Sequence, residues 1–306
     1  MFLKFKDLLG IEHLNKSDLQ NILDSVKLYK DLFKKSGKVD SLRGKTVVTL
    51  FYEPSTRTRT SFEIAAKKLS ADVVNITVGN SSVAKGESLV DTGRALEAMG
   101  ANYIVIRHML SGAPDILAKK LNISVINAGD GFHEHPTQGL LDLYTIYEKK
   151  KKIEGLKVLI VGDILHSRVA KSNIWALTKM GAEVLVSGPS TLIPIGIESL
   201  GVKVYFDLND AIKKADVLNI LRMQFERQQE SLFPSIREYI NFYQLTLKKL
   251  SIANPEILIM HPGPMNRGIE ITSDVADIPD IAINEQIVNG IAVRMAILCL
   301  LGNMKR

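Results

Sequence analysis

TVVTLFYEPSTRTRTSF (residues 46–62) passes from an apolar, β-branched run through a cluster of hydroxyls and arginines into an amphipathic segment. The apolar run has the composition of a buried strand, and the segment from Thr56 onward has helical periodicity. Pro54 disfavours helical geometry at Glu53, and Ser55 or Thr56 suits the cap of the helix that follows. The stretch therefore predicts strand, turn, helix. At that turn, free main-chain N–H groups, the positive end of the helix dipole, three hydroxyls and Arg57 make an anion cradle of phosphate size. An ordinary capped helix with two surface arginines is the competing reading. Placement directly after a buried strand favours the anion site, because ligands of open α/β sheets bind beyond the carboxyl ends of strands.

The same alternation extends in both directions. Strands are predicted at 46–52, 72–78, 103–107 and 123–127, with helices at 56–69, 88–99, 113–120 and 136–149. An earlier helix begins near Ser17 and Gln20, which have capping-box spacing. After the lysine-rich run EKKKKIEG (148–155) a second series starts, with strands in LKVLIVGD, AEVLVSGP, VKVYFD, DVLNIL and EILIMH and a helix in SRVAKSNIWALTKMG. The fold class is α/β, with two domains that each hold a parallel sheet flanked by helices. The expected division is 1–150 and 151–284, with an apolar helix from 285 to 306 packing back on the first domain.

Composition narrows the function. The 306 residues are 46% hydrophobic and 24% charged with net charge +6, which admits nucleic acid, an acidic surface or small anions as partners. No aromatic-interleaved basic stripe or zinc-finger spacing occurs, so a nucleic-acid reader is not expected. The start, MFLKFKDLLGIEHL, carries charges among its apolar positions and lacks a small-residue cleavage site. No uninterrupted apolar run of bilayer length is read, so no membrane association is expected. The single cysteine, Cys299, excludes a disulfide within the chain and reads as a core residue of a cytoplasmic protein.

Polar residues gather after each predicted strand. The stretch GNSSVAKGES (79–88) reads as a mobile loop with Lys85 as its one cation. Arg107 and His108 follow the third strand. His135 and Gln138 lie three apart across the start of a helix that Pro136 opens, so both can face one point. His133 and His135 invite a metal reading, but no third ligand sits at a recognisable spacing. In the second series, Gly162 is the only glycine of a dinucleotide fingerprint; Leu165 and Ser167 occupy the other two positions, which argues against NAD. Arg168, Arg222 and Gln224 follow strands, and two arginines suit the two carboxylates of one small substrate. The prolines around Gly263 stiffen a turn whose carbonyls can read an –NH2 group.

These motifs together resemble the aspartate carbamoyltransferase catalytic-chain family. The likeness runs through STRTRTSFE, KGESLVDT, VIRH, HPTQGLLDLYTI, HSRVAKSN, LRMQFER and HPGPMNRGIEI, in the family's order. It implies transfer of a carbamoyl group from carbamoyl phosphate to L-aspartate in pyrimidine synthesis, without cofactor or metal. It further implies that Ser55, Thr56, Arg57, Thr58 and Arg107 bind the phosphate, with His135, Gln138 and the main chain at Pro264 around the carbamoyl group. Arg168, Arg222 and Gln224 match the aspartate-binding positions. Ser81 and Lys85 match a loop supplied by a neighbouring subunit, so the resemblance implies a homotrimer, and it admits a regulatory chain or a dihydroorotase as further partner. Glu53 is expected to pair with Arg168 and Arg227 on closure. Ornithine carbamoyltransferases share the phosphate half but resemble His-Cys-Leu-Pro where this chain reads His261-Pro262-Gly263-Pro264, and they lack a match to Arg168. Phe225 stands where many relatives carry lysine.

Overall fold

The computed structural model describes residues 5–35, 37–77, 86–224, 235–279 and 281–302. The chain divides into two compact units, Met1–Leu140 with Val288–Arg306, and Leu141–Ile287. The lysine-rich run expected to mark the boundary is the end of the helix Pro136–Lys150 and the turn after it, and the two compact units divide between Leu140 and Leu141 of the same helix.

The first unit opens with α1 (Lys16–Lys34) and continues as β1 (Thr46–Phe51), α2 (Thr56–Lys68), β2 (Asp72–Thr77), α3 (Leu89–Ala98), β3 (Tyr103–His108), α4 (Ala113–Ala118) and β4 (Ser124–Asp130). The capping box of α1 is Asn15 with Asp18, not Ser17 with Gln20: Asp18 N donates to Asn15 Oδ1 at 2.9 Å and Asn15 N to Asp18 Oδ2 at 3.1 Å. Starting there buries Leu19, Ile22, Leu23 and Val26 on one stripe. The sheet is parallel, in the order β2-β1-β3-β4. Val48, Leu50, Ile104, Ile106 and Val125 pack with Leu96 and Leu117 of the covering helices. Burying each such side chain fully contributes about 1.5–3 kcal/mol. None of the residues of the edge strand β2 is fully buried, and Val74 is 45% exposed.

The helix α5 (Pro136–Lys150) leads to β5 (Lys157–Val161), α6 (Arg168–Lys179), β6 (Glu183–Ser187), β7 (Val202–Tyr205), α7 (Leu208–Ile212), β8 (Val217–Ile220), α8 (Ile236–Tyr243), α9 (Leu247–Leu250), β9 (Leu258–Met260), α10 (Ser273–Ala276) and α11 (Ile283–Gly302). The second sheet is also parallel, ordered β7-β6-β5-β8-β9. The short helices α7 to α10 carry too few turns for a periodic signal. By length and composition α11 is apolar enough to cross a bilayer, although Asn289 and Arg294 interrupt its apolar run, and 78% of its apolar window is buried inside the protein. That is the placement of a core helix.

Both sheets reverse their order at one point. In the first, the chain leaves β1 for the edge β2 and returns to β3 on the other side; in the second, it leaves β5 for β6 and β7 and returns to β8. Between such strands the following loops turn away to opposite sides and leave a crevice. Residues after β1 and β3, and after β5 and β8, therefore flank the two switch points.

Candidate active site

Beyond β1, Ser55 is the N-cap of α2 with extended backbone, and its side chain makes no capping hydrogen bond. The corresponding serines of α3, α6 and α8 all accept from their own helices. The first turn of α2 thus keeps main-chain donors for an external acceptor. Thr58 is buried near the start of the helix, while Arg57 is exposed and its side chain makes no hydrogen bond or ion pair among the described residues. Across the switch point, Arg107 lies opposite Phe51 in the β1–β3 ladder. Its Nε donates to Glu53 Oε2 at 3.1 Å and its Nη1 to the Ala128 carbonyl at 3.3 Å, which holds the guanidinium over the strand ends. Glu53, expected to pair with Arg168 and Arg227 on closure, is a partner of Arg107 here. Burial keeps the neighbouring His108 imidazole below its ordinary pKa, and its ring lies 4.5 Å from Tyr52.

After β4, the chain reaches His135 and Gln138 through a dense polar joint. Asp130 is buried and accepts from Gly112 N and Asn127 Nδ2, both at 2.7 Å, and it faces His133 Nδ1 at 3.1 Å. Burial alone would raise the Asp130 carboxyl, but the hydrogen bonds from His133, Gly112 and Asn127 outweigh it and hold the group below its ordinary value. The Asp130 hydrogen bond in turn lifts His133 to about 9. His133 Nε2 faces Glu12 at 3.2 Å, so both ring nitrogens serve as donors. The sets Glu12, His133, Glu134 and Asp115, Asp130, His133 have ligand spacing. An imidazolium offers no lone pair to a cation at neutral pH, so this chemistry opposes the metal reading. His135 itself is buried, and its carbonyl accepts from Gln138 N at 2.9 Å at the start of α5.

In the second unit, Gly162 has φ +123°, and an added Cβ would lie 3.4 Å from Leu221 Cβ and 3.1 Å from Tyr239 Oη. Close approach at the switch point, rather than a nucleotide, accounts for this glycine. Ser167 caps α6 by accepting from Ala170 N at 3.1 Å, and Arg168 is only 3% exposed. Arg222 and Gln224, half-buried, flank the fully buried Met223 just past β8. The Met223 carbonyl accepts from Asn266 Nδ2 at 3.2 Å, tying this loop to the turn that carries Pro264. Ser81, Lys85, Phe225 and Arg227 lie outside the described residues.

Sequence reasoning missed what holds that turn. Gln286 Nε2 donates to the buried Asp142 at 2.8 Å while its Oε1 accepts from His261 N at 3.0 Å. His261 Nδ1 accepts from Gly263 N at 2.8 Å, and its Nε2 faces buried Glu270 at 3.3 Å. Asn173 Nδ2 also donates to Asp142, at 2.8 Å. An aspartate within the apolar run LLDLYTIY was the visible signal.

Residues 6–148 match the carbamoyl-P binding domain of the aspartate/ornithine carbamoyltransferase family, and residues 154–301 match its Asp/Orn binding domain. The chain belongs to this family. An aspartate carbamoyltransferase catalytic subunit from Endomicrobium trichonymphae is 74% identical over 302 residues, spanning 98% of this chain and 97% of that one. Among carbamoyltransferases of known structure, the Trypanosoma cruzi aspartate transcarbamoylase in complex with carbamoyl phosphate and aspartate superposes with TM-score 0.88 at 28% identity, covering 97% of each chain. The ornithine carbamoyltransferase of Pyrococcus furiosus gives 0.88 at 31% identity over 100% of both chains. Carbamoyltransferases of both specificities thus share the fold, and the choice between them falls to side chains.

Proposed function

We propose that the protein transfers the carbamoyl group of carbamoyl phosphate to the amine of L-aspartate, giving N-carbamoyl-L-aspartate and phosphate, in de novo pyrimidine synthesis. The 74% identity to a catalytic subunit of that activity supports the reaction. The observation that carries the choice of acceptor is Arg168, buried where α6 begins, with Arg222 past the neighbouring strand. Two guanidinium groups on either side of a switch point attract a dicarboxylate and repel the second amine of ornithine.

The chemistry follows from the donors. The first turn of α2, with Ser55, Thr56, Arg57 and Thr58, takes the phosphate, and Arg107 assists. His135, Gln138 and the carbonyls around Pro264 address the carbamoyl group. Attack of the amine on the carbonyl carbon places negative charge on its oxygen, where Thr58, Arg107 and His135 supply fixed donors. Phosphate departs with the bonding electrons, stabilised by the helix terminus and arginine, so the reading uses neither cofactor nor metal. Much of the acceleration comes from holding two mutually repelling anions in attack geometry.

The same reading includes a homotrimer in which Ser81 and Lys85 of a neighbouring copy complete each site, in a cytoplasmic setting. The exposed edge strand β2 and the buried, unbridged Cys299 support these two points. Purified protein incubated with carbamoyl phosphate and L-aspartate is expected to release phosphate and form N-carbamoyl-L-aspartate, and to be far slower with L-ornithine. Phosphate release that does not depend on aspartate, or a preference for ornithine, overturns the reading. Light scattering of the same sample tests the trimer.

A further inference from the structure

We infer that the N-terminal segment, residues 7–12, is a positioning element for His135, acting through the carboxylate of Glu134. The inference rests on the reading of His135 as a donor to the carbamoyl oxygen. The segment lies along the free edge of β4: Leu8 N donates to Val125 O at 2.9 Å, Asn127 N to Leu8 O at 2.8 Å, and Asn127 Nδ2 to Leu9 O at 2.8 Å. Asp7 Oδ1 accepts from Val125 N at 2.8 Å, and Leu8 and Ile11 are buried. The ribbon is therefore fixed in register and in depth. At its far end, Ile11 N donates to Glu134 Oε2 at 2.9 Å and Glu12 N donates to Glu134 Oε1 at 3.0 Å.

Glu134 is only 1% exposed, and its polar groups are held on every side. Its N–H donates to Asp130 Oδ1 at 3.2 Å, and its carbonyl accepts from Asp130 N at 3.2 Å. The next residue is His135, whose carbonyl takes the first hydrogen bonds of α5, from Gln138 N and from Gly139 N at 3.1 Å. The backbone that carries the imidazole is thus clamped by the helix on one side and by Glu134 on the other. Charge-assisted bonds from main-chain donors to a buried carboxylate are short and strong, and a ribbon that is itself part of a sheet transmits little slack.

Gly10 shows how tightly this joint is built. A Cβ there would sit 2.5 Å from Glu134 Oε1, although the backbone of Gly10 is outside the left-handed region and would accept alanine. The glycine serves the approach of the carboxylate, not a turn. Gly10→Ala consequently displaces Glu134 without removing any hydrogen-bonding group. Glu134→Gln attacks the same joint differently, since the amide must point an N–H at one of two N–H donors.

The test uses the full-length protein and the variants Gly10→Ala, Glu134→Gln and Gly10→Ala/Glu134→Asp. Steady-state kinetics, thermal unfolding and NMR of the His135 ring in histidine-labelled protein are compared. Displacement of a catalytic group by a fraction of an ångström to one ångström predicts about a 10- to 100-fold loss of kcat in each single variant, with KM for aspartate within about twofold. The His135 ring resonances shift in both. In the double variant the shorter side chain relieves the clash, and kcat recovers roughly fivefold over Gly10→Ala, a coupling expected only of residues in contact. A lowered Tm with kcat and the His135 resonances unchanged makes the joint a staple of the fold and overturns the inference. If Glu134→Gln does not fold, Gly10→Ala alone decides. Absence of carbamoyl transfer in the unaltered protein would instead defeat the functional reading, while the ring resonances would still report whether the segment positions His135.

Discussion

At the start of α2, Ser55 makes no capping hydrogen bond and Arg57 is exposed; at the start of α6, Ser167 accepts from Ala170 N at 3.1 Å and Arg168 is 3% exposed. Each arginine lies within two residues of its capping serine, and each helix follows the strand at a switch point. The difference lies in where the helix N–H groups are spent. At α6 the protein satisfies one itself, and on the proposed function recognition falls to a guanidinium already ordered by folding, a fork that suits a carboxylate. At α2 the donors remain for an incoming group, and an oxyanion with three acceptor oxygens suits them better. On the proposed function, one entrance is finished by the chain and the other by its substrate.

The largest expected effect separates the two by chemistry. Arg57→Ala removes a cation from the site of developing charge and is expected to lower kcat by about 10²–10³-fold, as loss of a transition-state donor does. A change confined to KM for carbamoyl phosphate would reduce Arg57 to a binding group. Next comes Arg168→Lys, which keeps charge but loses the fork. KM for aspartate should rise roughly 10-fold or more, the scale of a lost charged hydrogen bond, while carbamoyl phosphate affinity by calorimetry holds. Equal losses for both ligands would contradict the division of labour.

A smaller effect tests the caps themselves. Ser167→Ala should cost about 1 kcal/mol in urea unfolding, and Ser55→Ala less than about 0.5 kcal/mol, because only the first removes an existing cap. Phosphate affinity should fall for Ser55→Ala and not for Ser167→Ala. Equal destabilisation by the two alanines would erase the contrast.

The last comparison belongs to a third entrance, that of α5. His133 is raised from 6.5 to about 9 by its hydrogen bond to Asp130. Its contribution to stability is fully present below about 6.5 and is lost as pH rises through about 9. Urea midpoints should therefore fall from pH 7 to pH 9.5 more in the unaltered protein than in His133→Asn. Parallel profiles would show that the imidazolium adds nothing at this entrance.

Much of this was legible in the residue order. The β-branched runs announced the strands, and the polar clusters behind them marked the candidate site, because a parallel sheet sends every strand end to one edge. The cap of α1 was not legible, since Asn15 and Ser17 are both good caps and the buried stripe chooses between them. The exposure of β2 was hidden because a run such as DVVNIT has the same composition at an edge as at the centre. Asp142, Gln286 and His261 stood far apart in sequence, and only packing joined them.

Residue order by itself determined two parallel α/β units, the family, and the side chains behind each strand, because periodicity and residue chemistry are local properties of the chain. Tertiary structure alone decided that α2 starts uncapped, that Arg168 is buried, and that residues 10–12 meet Glu134. Those facts depend on hydrogen bonds and close approaches between segments remote in sequence, which exist only after strand order and register have been set.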